Sequence, residues 1–125
     1  MPGLREFAEG YTAAWCSGDA ASVAAFYAPD GSLRVNENEP AVGREAITQV
    51  AQGFMSDFPG MRVLMDDLVE GDRPVFRWTL VGTHAGTGRP VRISGYEEWR
   101  LDAGLIVESL GHYDSEDYRR QLEGD

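Results

Sequence analysis

Two alternating runs joined by a glycine-rich stretch dictate what this chain can fold into. Phe76, Trp78 and Leu80 alternate with Arg77, Thr79 and Val81, and a second run of the same kind extends from Val91 to Leu101. Between them lies Gly82-Thr83-His84-Ala85-Gly86-Thr87-Gly88. Successive side chains on a strand leave opposite faces, so alternation predicts strands over Val75 to His84 and Val91 to Leu101, each with one buried face. Met61 to Val69 and Leu105 to Tyr113 read as two further strands. Glu70-Gly71-Asp72 and Asp102-Ala103-Gly104 supply the turns.

The first half of the chain has a different period. Leu4, Phe7, Ala8, Tyr11, Ala14 and Trp15 recur at three- and four-residue steps, which predicts an amphipathic helix. Gly18 ends it, and Asp19 can cap a second helix from about Ala20 to Tyr27, before Pro29. Asp30-Gly31 reads as a turn into a short strand, Ser32 to Val35, and Asn36 to Pro40 as a loop. A third helix runs from Gly43 to about Asp57, and Phe58-Pro59-Gly60 breaks it. Ser115 can cap a short final helix through Leu122. Helices followed by antiparallel strands predict an α+β fold, a strongly curved, mostly antiparallel sheet packed against three N-terminal helices, with a short C-terminal helix. Helices on one face of such a sheet leave a half-open cone, whose mouth suits a small molecule.

Composition narrows the partners. The 125 residues, 42% apolar, suit a single domain, 1–125, with one core. A formal charge of −10 disfavours nucleic acid and anionic membranes. Nothing approaches the roughly 20 apolar residues of a membrane span, and the segment from Met1 to Glu6 does not read as a signal peptide. One cysteine, Cys16, excludes an internal disulfide and fits a reducing cytoplasm; beside Trp15 on an apolar helix it is expected to be buried. Two histidines without metal-ligand spacing predict no metal, and Gly86-Thr87-Gly88 lacks the context of a phosphate loop, so no cofactor is expected.

Alternation places Ile93, Gly95, Glu97 and Trp99 on one face of a strand. Glu97 is the lone acid there, which is costly unless it is protonated, paired or useful; the alternative is a local twist that frees it to solvent or to an arginine. Val35, Trp78 and Trp99 are candidates for the wall of a binding pocket, with Glu37, Glu39 and His84 near its mouth. His112 alternates outward unless Gly111 marks a bulge, and Asp114 follows it. Arg77, Thr79, Val81, Arg92, Tyr96, Glu98 and Leu110 share the outer face, a mixture suited to a homodimer contact.

With Tyr11…Trp15…Gly18-Asp19…Phe26-Tyr27-Ala28-Pro29-Asp30-Gly31, and with Arg77 to Arg89 and Ile93 to Trp99, the chain resembles the nuclear transport factor 2-like superfamily along nearly its whole length. The likeness is to the SnoaL-like polyketide cyclase branch, and also to ketosteroid isomerase. It implies a cone with a pocket, dimers, and cofactor-independent enolisation of a hydrophobic carbonyl compound. By that resemblance Tyr11 and a protonated Glu97 would hold the substrate oxyanion. The isomerase's base position is occupied by Val35, and the aspartate of cyclases and limonene epoxide hydrolases by Gly111. This leaves Glu37, His112 and Asp114 as candidate bases. Two other readings stay open, a non-catalytic binder of an apolar metabolite and an epoxide hydrolase-like enzyme.

Overall fold

A computed structural model describes residues 3–123, so the reading of the amino-terminal segment lies, at Met1 and Pro2, outside the described residues. In chain order the elements are α1 (Leu4–Cys16), α2 (Ala20–Ala24), β1 (Tyr27–Val35), β2 (Ala41–Val42), α3 (Arg44–Asp57), β3 (Arg62–Val69), β4 (Val75–Thr83), β5 (Pro90–Asp102), β6 (Leu105–Tyr113) and α4 (Ser115–Glu123). The six strands form one sheet in the order β2-β1-β6-β5-β4-β3. Every pairing is antiparallel except β1 with β6. This is the expected α+β architecture, three helices, a mixed sheet and a short last helix.

The apolar stripes do what their spacing requires. On α1 Ala8, Tyr11, Ala14 and Trp15 are buried, and on α3 Ile47, Ala51 and Met55. Asp19 caps α2 by accepting a hydrogen bond from Ala21 N–H at 3.2 Å. On β5 Ile93, Glu97 and Trp99 are buried while Arg92, Ser94 and Tyr96 are exposed, in agreement with the alternation. No helix among the described residues is long and apolar enough to cross a membrane.

The second helix is shorter than its sequence suggests. It ends at Ala24, and Tyr27 begins β1, because Phe26 O accepts a sheet bond from Ile106 N–H at 3.0 Å. Pro29-Asp30-Gly31 is therefore strand, with a register shift between Tyr27 and Ser32. Gly31 permits this: a Cβ there would sit 2.8 Å from Ile106 O and 3.1 Å from Ala28 O. Ala41–Val42 adds a short edge strand within what reads as connection.

Two expectations of burial fail. Cys16 is exposed, and its Sγ donates to Val63 O (3.3 Å) and accepts from Val63 N–H (3.2 Å) at the β3 edge. Thr79, on the outer face, is only 3% exposed because its hydroxyl is tied to both Asp66 and Ser94.

Candidate active site

The inner face of the sheet closes around a narrow cavity of about 60 Å³. Leu33 and Val35 come from β1, Phe76, Trp78 and Leu80 from β4, and Val63 from β3. Trp15 of α1 and Phe54 of α3 cover it, and Gly111, His112 and Tyr113 of β6 complete the wall. Among the described residues Glu97 is the only acid that lines it. The apolar walls leave a ligand two choices, to be apolar or to meet that carboxyl.

Glu97 is 7% exposed and held by a set of donors fixed on three different elements. Its Oε1 accepts from Tyr11 Oη–H at 2.9 Å, from Trp99 Nε1–H at 2.9 Å and from Ser109 Oγ–H at 2.7 Å. Oε2 receives only the longer arm of the Tyr11 contact, at 3.2 Å. Tyr11 Oη lies 2.8 Å from Tyr27 Oη. Since Tyr11 spends its one proton on Glu97, Tyr27 is the donor in that second bond. The result is a one-way chain from Tyr27 through Tyr11 to Glu97. Burial raises the Glu97 carboxyl above its ordinary range, and the bonds from Trp99, Ser109 and Tyr11 pull the other way. Burial, followed by the nearby Glu97 charge, lifts both phenols well above the usual tyrosine value.

Sequence reasoning brought Tyr11 and Glu97 together, and they are bonded. Their arrangement differs from two donors side by side: Tyr11 is fully buried and stands behind Glu97, outside the cavity lining. Trp99 also lies behind it, stacked on Phe76 with ring centroids 5.1 Å apart, so it does not form the substrate-facing wall. Val35 and Trp78 do line the cavity. Glu37 and Glu39 are exposed loop residues away from the lining. His84 packs on Phe58 and accepts from Thr87 N–H at 3.2 Å, a turn-stabilising role outside the cavity. His112 contributes to the wall, but its side chain is on the outer face, with its ring 5.7 Å from that of Tyr96, as alternation requires. Asp114 caps α4 in place of Ser115, accepting from the N–H groups of Glu116 and Asp117 at 3.0 and 3.1 Å. Neither His112 nor Asp114 is placed to act as a base in the cavity.

Sequence reading missed Tyr27 of the hydrogen-bonded chain, Trp15, Phe54 and Tyr113 of the lining, and Ser109. Ser109 lies two positions before Gly111, which faces Glu97 across the β5–β6 pairing, so the same step of two would have found it. Among the described residues two buried side-chain nitrogens lack a partner, Trp15 Nε1 and Trp78 Nε1, and both tryptophans line the cavity. Also among the described residues, no cluster of His, Cys, Asp and Glu could hold a metal ion.

The fold has many solved relatives. A protein with a ketosteroid isomerase-like fold from Catenulispora acidiphila, in complex with trimethylamine, superposes with a TM-score of 0.86 at 18% identity, covering 94% of this chain and 92% of that one. A nuclear transport factor 2-like protein from Burkholderia pseudomallei gives 0.83 at 21% identity and 98% coverage of both chains. A candidate SnoaL-like polyketide cyclase from Jannaschia sp. gives 0.81 at 19% identity, covering 100% and 96%. No curated protein matches. The model of the SnoaL-like domain matches residues 8–109, a span that takes in Tyr11, Tyr27, Glu97, Trp99 and Ser109. With fold and sequence in agreement, the chain belongs to the SnoaL-like domain family.

Proposed function

We propose that the protein is an enzyme that moves a proton on a small apolar carbonyl compound, with Glu97 as its acid–base group. This enolisation is the step that cyclase-like and isomerase-like reactions have in common. The observation that carries the reading is a single ionisable carboxyl in an otherwise apolar cavity, with one oxygen filled by donors and the other nearly free. Raised basicity in a dry site suits a carboxylate that removes a proton from carbon. Oε2 takes the proton from the α-carbon, and the C–H electrons form the enolate double bond while charge moves to oxygen. Of the two unpartnered indole N–H groups on the cavity walls, that of Trp78 is the candidate donor for that oxygen, since that of Trp15 lies toward Tyr11. An enolate conjugated to a second double bond then regains the proton from Glu97 at the far carbon; alternatively the enolate carbon attacks a second carbonyl carbon of the same molecule, and the C=O π electrons become an alkoxide that takes the proton back from Glu97. Gly111 offers no carboxylate for water, so epoxide hydrolysis is not part of this proposal.

A second reading rests on Trp15, Phe54, Phe76, Trp78 and Tyr113, five aromatic walls around one carboxyl, a composition that suits a small alkylammonium ligand. The trimethylamine in the Catenulispora protein supports it. One experiment separates the two. Small cyclic ketones and trimethylammonium salts are titrated over a range of pH, and exchange of the ketone α-protons is followed in heavy water by NMR. The enzyme reading expects exchange that depends on Glu97. The binding reading expects no exchange, and ammonium affinity that rises with pH as Glu97 ionises. Ketones that neither bind nor exchange would remove the first reading.

The outer sheet face supports a homodimer. Tyr96 is 37% exposed there, with Arg77 5.9 Å over its ring. Sedimentation equilibrium at micromolar concentration is expected to give twice the chain mass, and a monomer would remove this proposal.

A further inference from the structure

We infer that Ser109 and Trp99 are positioning residues for Glu97: together with Tyr11 they fill Oε1 and leave Oε2 as the carboxyl oxygen presented to the cavity. This deepens the acid–base reading of Glu97 and rests on it.

The case begins with the asymmetry of the carboxyl. Three donors at 2.7 to 2.9 Å converge on Oε1, while Oε2 has one contact at 3.2 Å, shared with the same tyrosine. A carboxylate oxygen has about two lone-pair directions, so an oxygen with three donors has no capacity left for a proton or a ligand. Whatever proton Glu97 carries therefore sits on Oε2. The donors are rigidly mounted. Trp99 is wholly buried against Phe76 and Phe7, and Ser109 is wholly buried on β6, opposite Trp99 in the strand register. On the cavity side the residue opposite Glu97 is Gly111, whose missing side chain leaves that approach open.

The groups that act on Glu97 are few. Tyr11 from α1 and Tyr27 from β1 are its titratable neighbours, and both remain neutral phenols in the dry interior. Phe76 from β4 and Ser109 and Gly111 from β6 carry no charge. Among the described residues no cation acts on Glu97, so hydrogen bonds are what stabilise the ionised form, and removing one donor must move the Glu97 titration upward.

The test is a titration of ligand-free protein labelled with isotopic glutamate, in which the Glu97 carboxyl signal is identified by its loss in Glu97→Gln. Ser109→Ala removes one donor and Trp99→Phe another, the latter keeping an aromatic ring in place. Each is expected to raise the Glu97 midpoint by about one to two pH units, the worth of a hydrogen bond to a charged group. Ser109→Cys, nearly isosteric with a weaker donor, is expected to fall between Ala and wild type. The acid limb of any α-proton exchange profile should move upward by the same amount. An unmoved or lowered midpoint in folded Ser109→Ala overturns the inference. If that variant does not fold, unmoved midpoints in both Ser109→Cys and Trp99→Phe overturn it instead. Because no ligand is present, the outcomes separate cleanly. Raised midpoints in a protein that exchanges no α-protons keep the positioning role and remove the proposed reaction. Unmoved midpoints in one that does exchange remove only the positioning role.

Discussion

Glu97→Gln is expected to lower α-proton exchange by about a hundredfold or more, the usual contribution of a positioned base, without loss of the fold. A glutamine oxygen can accept the three donors that now meet Oε1, and its amide takes the place of Oε2. The charge whose burial raises the Glu97 pKa is then gone. The sign of the pH effect follows from that direction. A group whose folded pKa is raised contributes stability that is complete below its unfolded value and is lost as pH rises through the folded value. Wild type should therefore match Glu97→Gln at acid pH and melt progressively below it as pH climbs above the ordinary carboxyl range. Glu97→Ala behaves differently, since it strands the hydroxyls of Tyr11 and Ser109 and the Trp99 N–H in a dry core. Each unsatisfied group costs about 1–3 kcal/mol, a large part of the stability of a small domain. Thermal melts across pH should rank Gln above wild type and wild type above Ala near neutrality. A Gln variant as active as wild type would take Glu97 out of the chemistry.

Gly95→Ala is expected to be the most damaging single methyl addition in the sheet. A Cβ at Gly95 would lie 2.3 Å from His112 O and 2.6 Å from Trp78 Cζ2. The first contact is with backbone, which cannot swing aside, and the second with a ring wedged across the strand. Overpacking of this kind costs about 1–3 kcal/mol and sometimes more. Because Trp78 is a cavity wall, the site should change shape along with the loss of stability. Gly53 supplies the control: it sits in α3 with nothing within 4 Å of an added Cβ. There the same substitution should stabilise by roughly 0.5–1 kcal/mol through helix propensity. Urea denaturation of the two variants should move their midpoints in opposite directions. A Gly95→Ala midpoint equal to that of wild type would mean that the backbone around His112 yields more easily than its geometry implies.

Most of the fold is readable from periodicity, because each strand past Met61 has one dry face and each of the two longer N-terminal helices one apolar stripe. Glu97 stands out for the same reason, as an acid in phase with Ile93 and Trp99. What periodicity does not show is where a strand begins when its bonds come from far along the chain. Tyr27 to Gly31 looks like helix end and turn, yet β6 draws it into the sheet. Nor does it show which way a buried side chain spends its hydrogen. Tyr11, Trp99 and Ser109 could each have faced a ligand, and only the packing around Glu97 shows that all three face the carboxyl.

The parallel pairing of β1 with β6 has a consequence for how the protein forms. Tyr27 meets Ile106 and Val35 meets Gly111, partners from opposite ends of the domain. Loop-closure entropy has to be overcome before such a contact gains anything, which places folding with the slower small domains, at about milliseconds to seconds. During synthesis α1–α3 and β3–β5 can be made while β1 still lacks its long neighbour, its exposed edge open to mispairing. The carboxyl of Glu97 gains its Ser109 partner, and the cavity its last wall, only when β6 slots between β1 and β5. Assembly of the site thus waits on β6, and a chain cut before Leu105 would keep Glu97 but lack both its Ser109 donor and the last wall of the cavity.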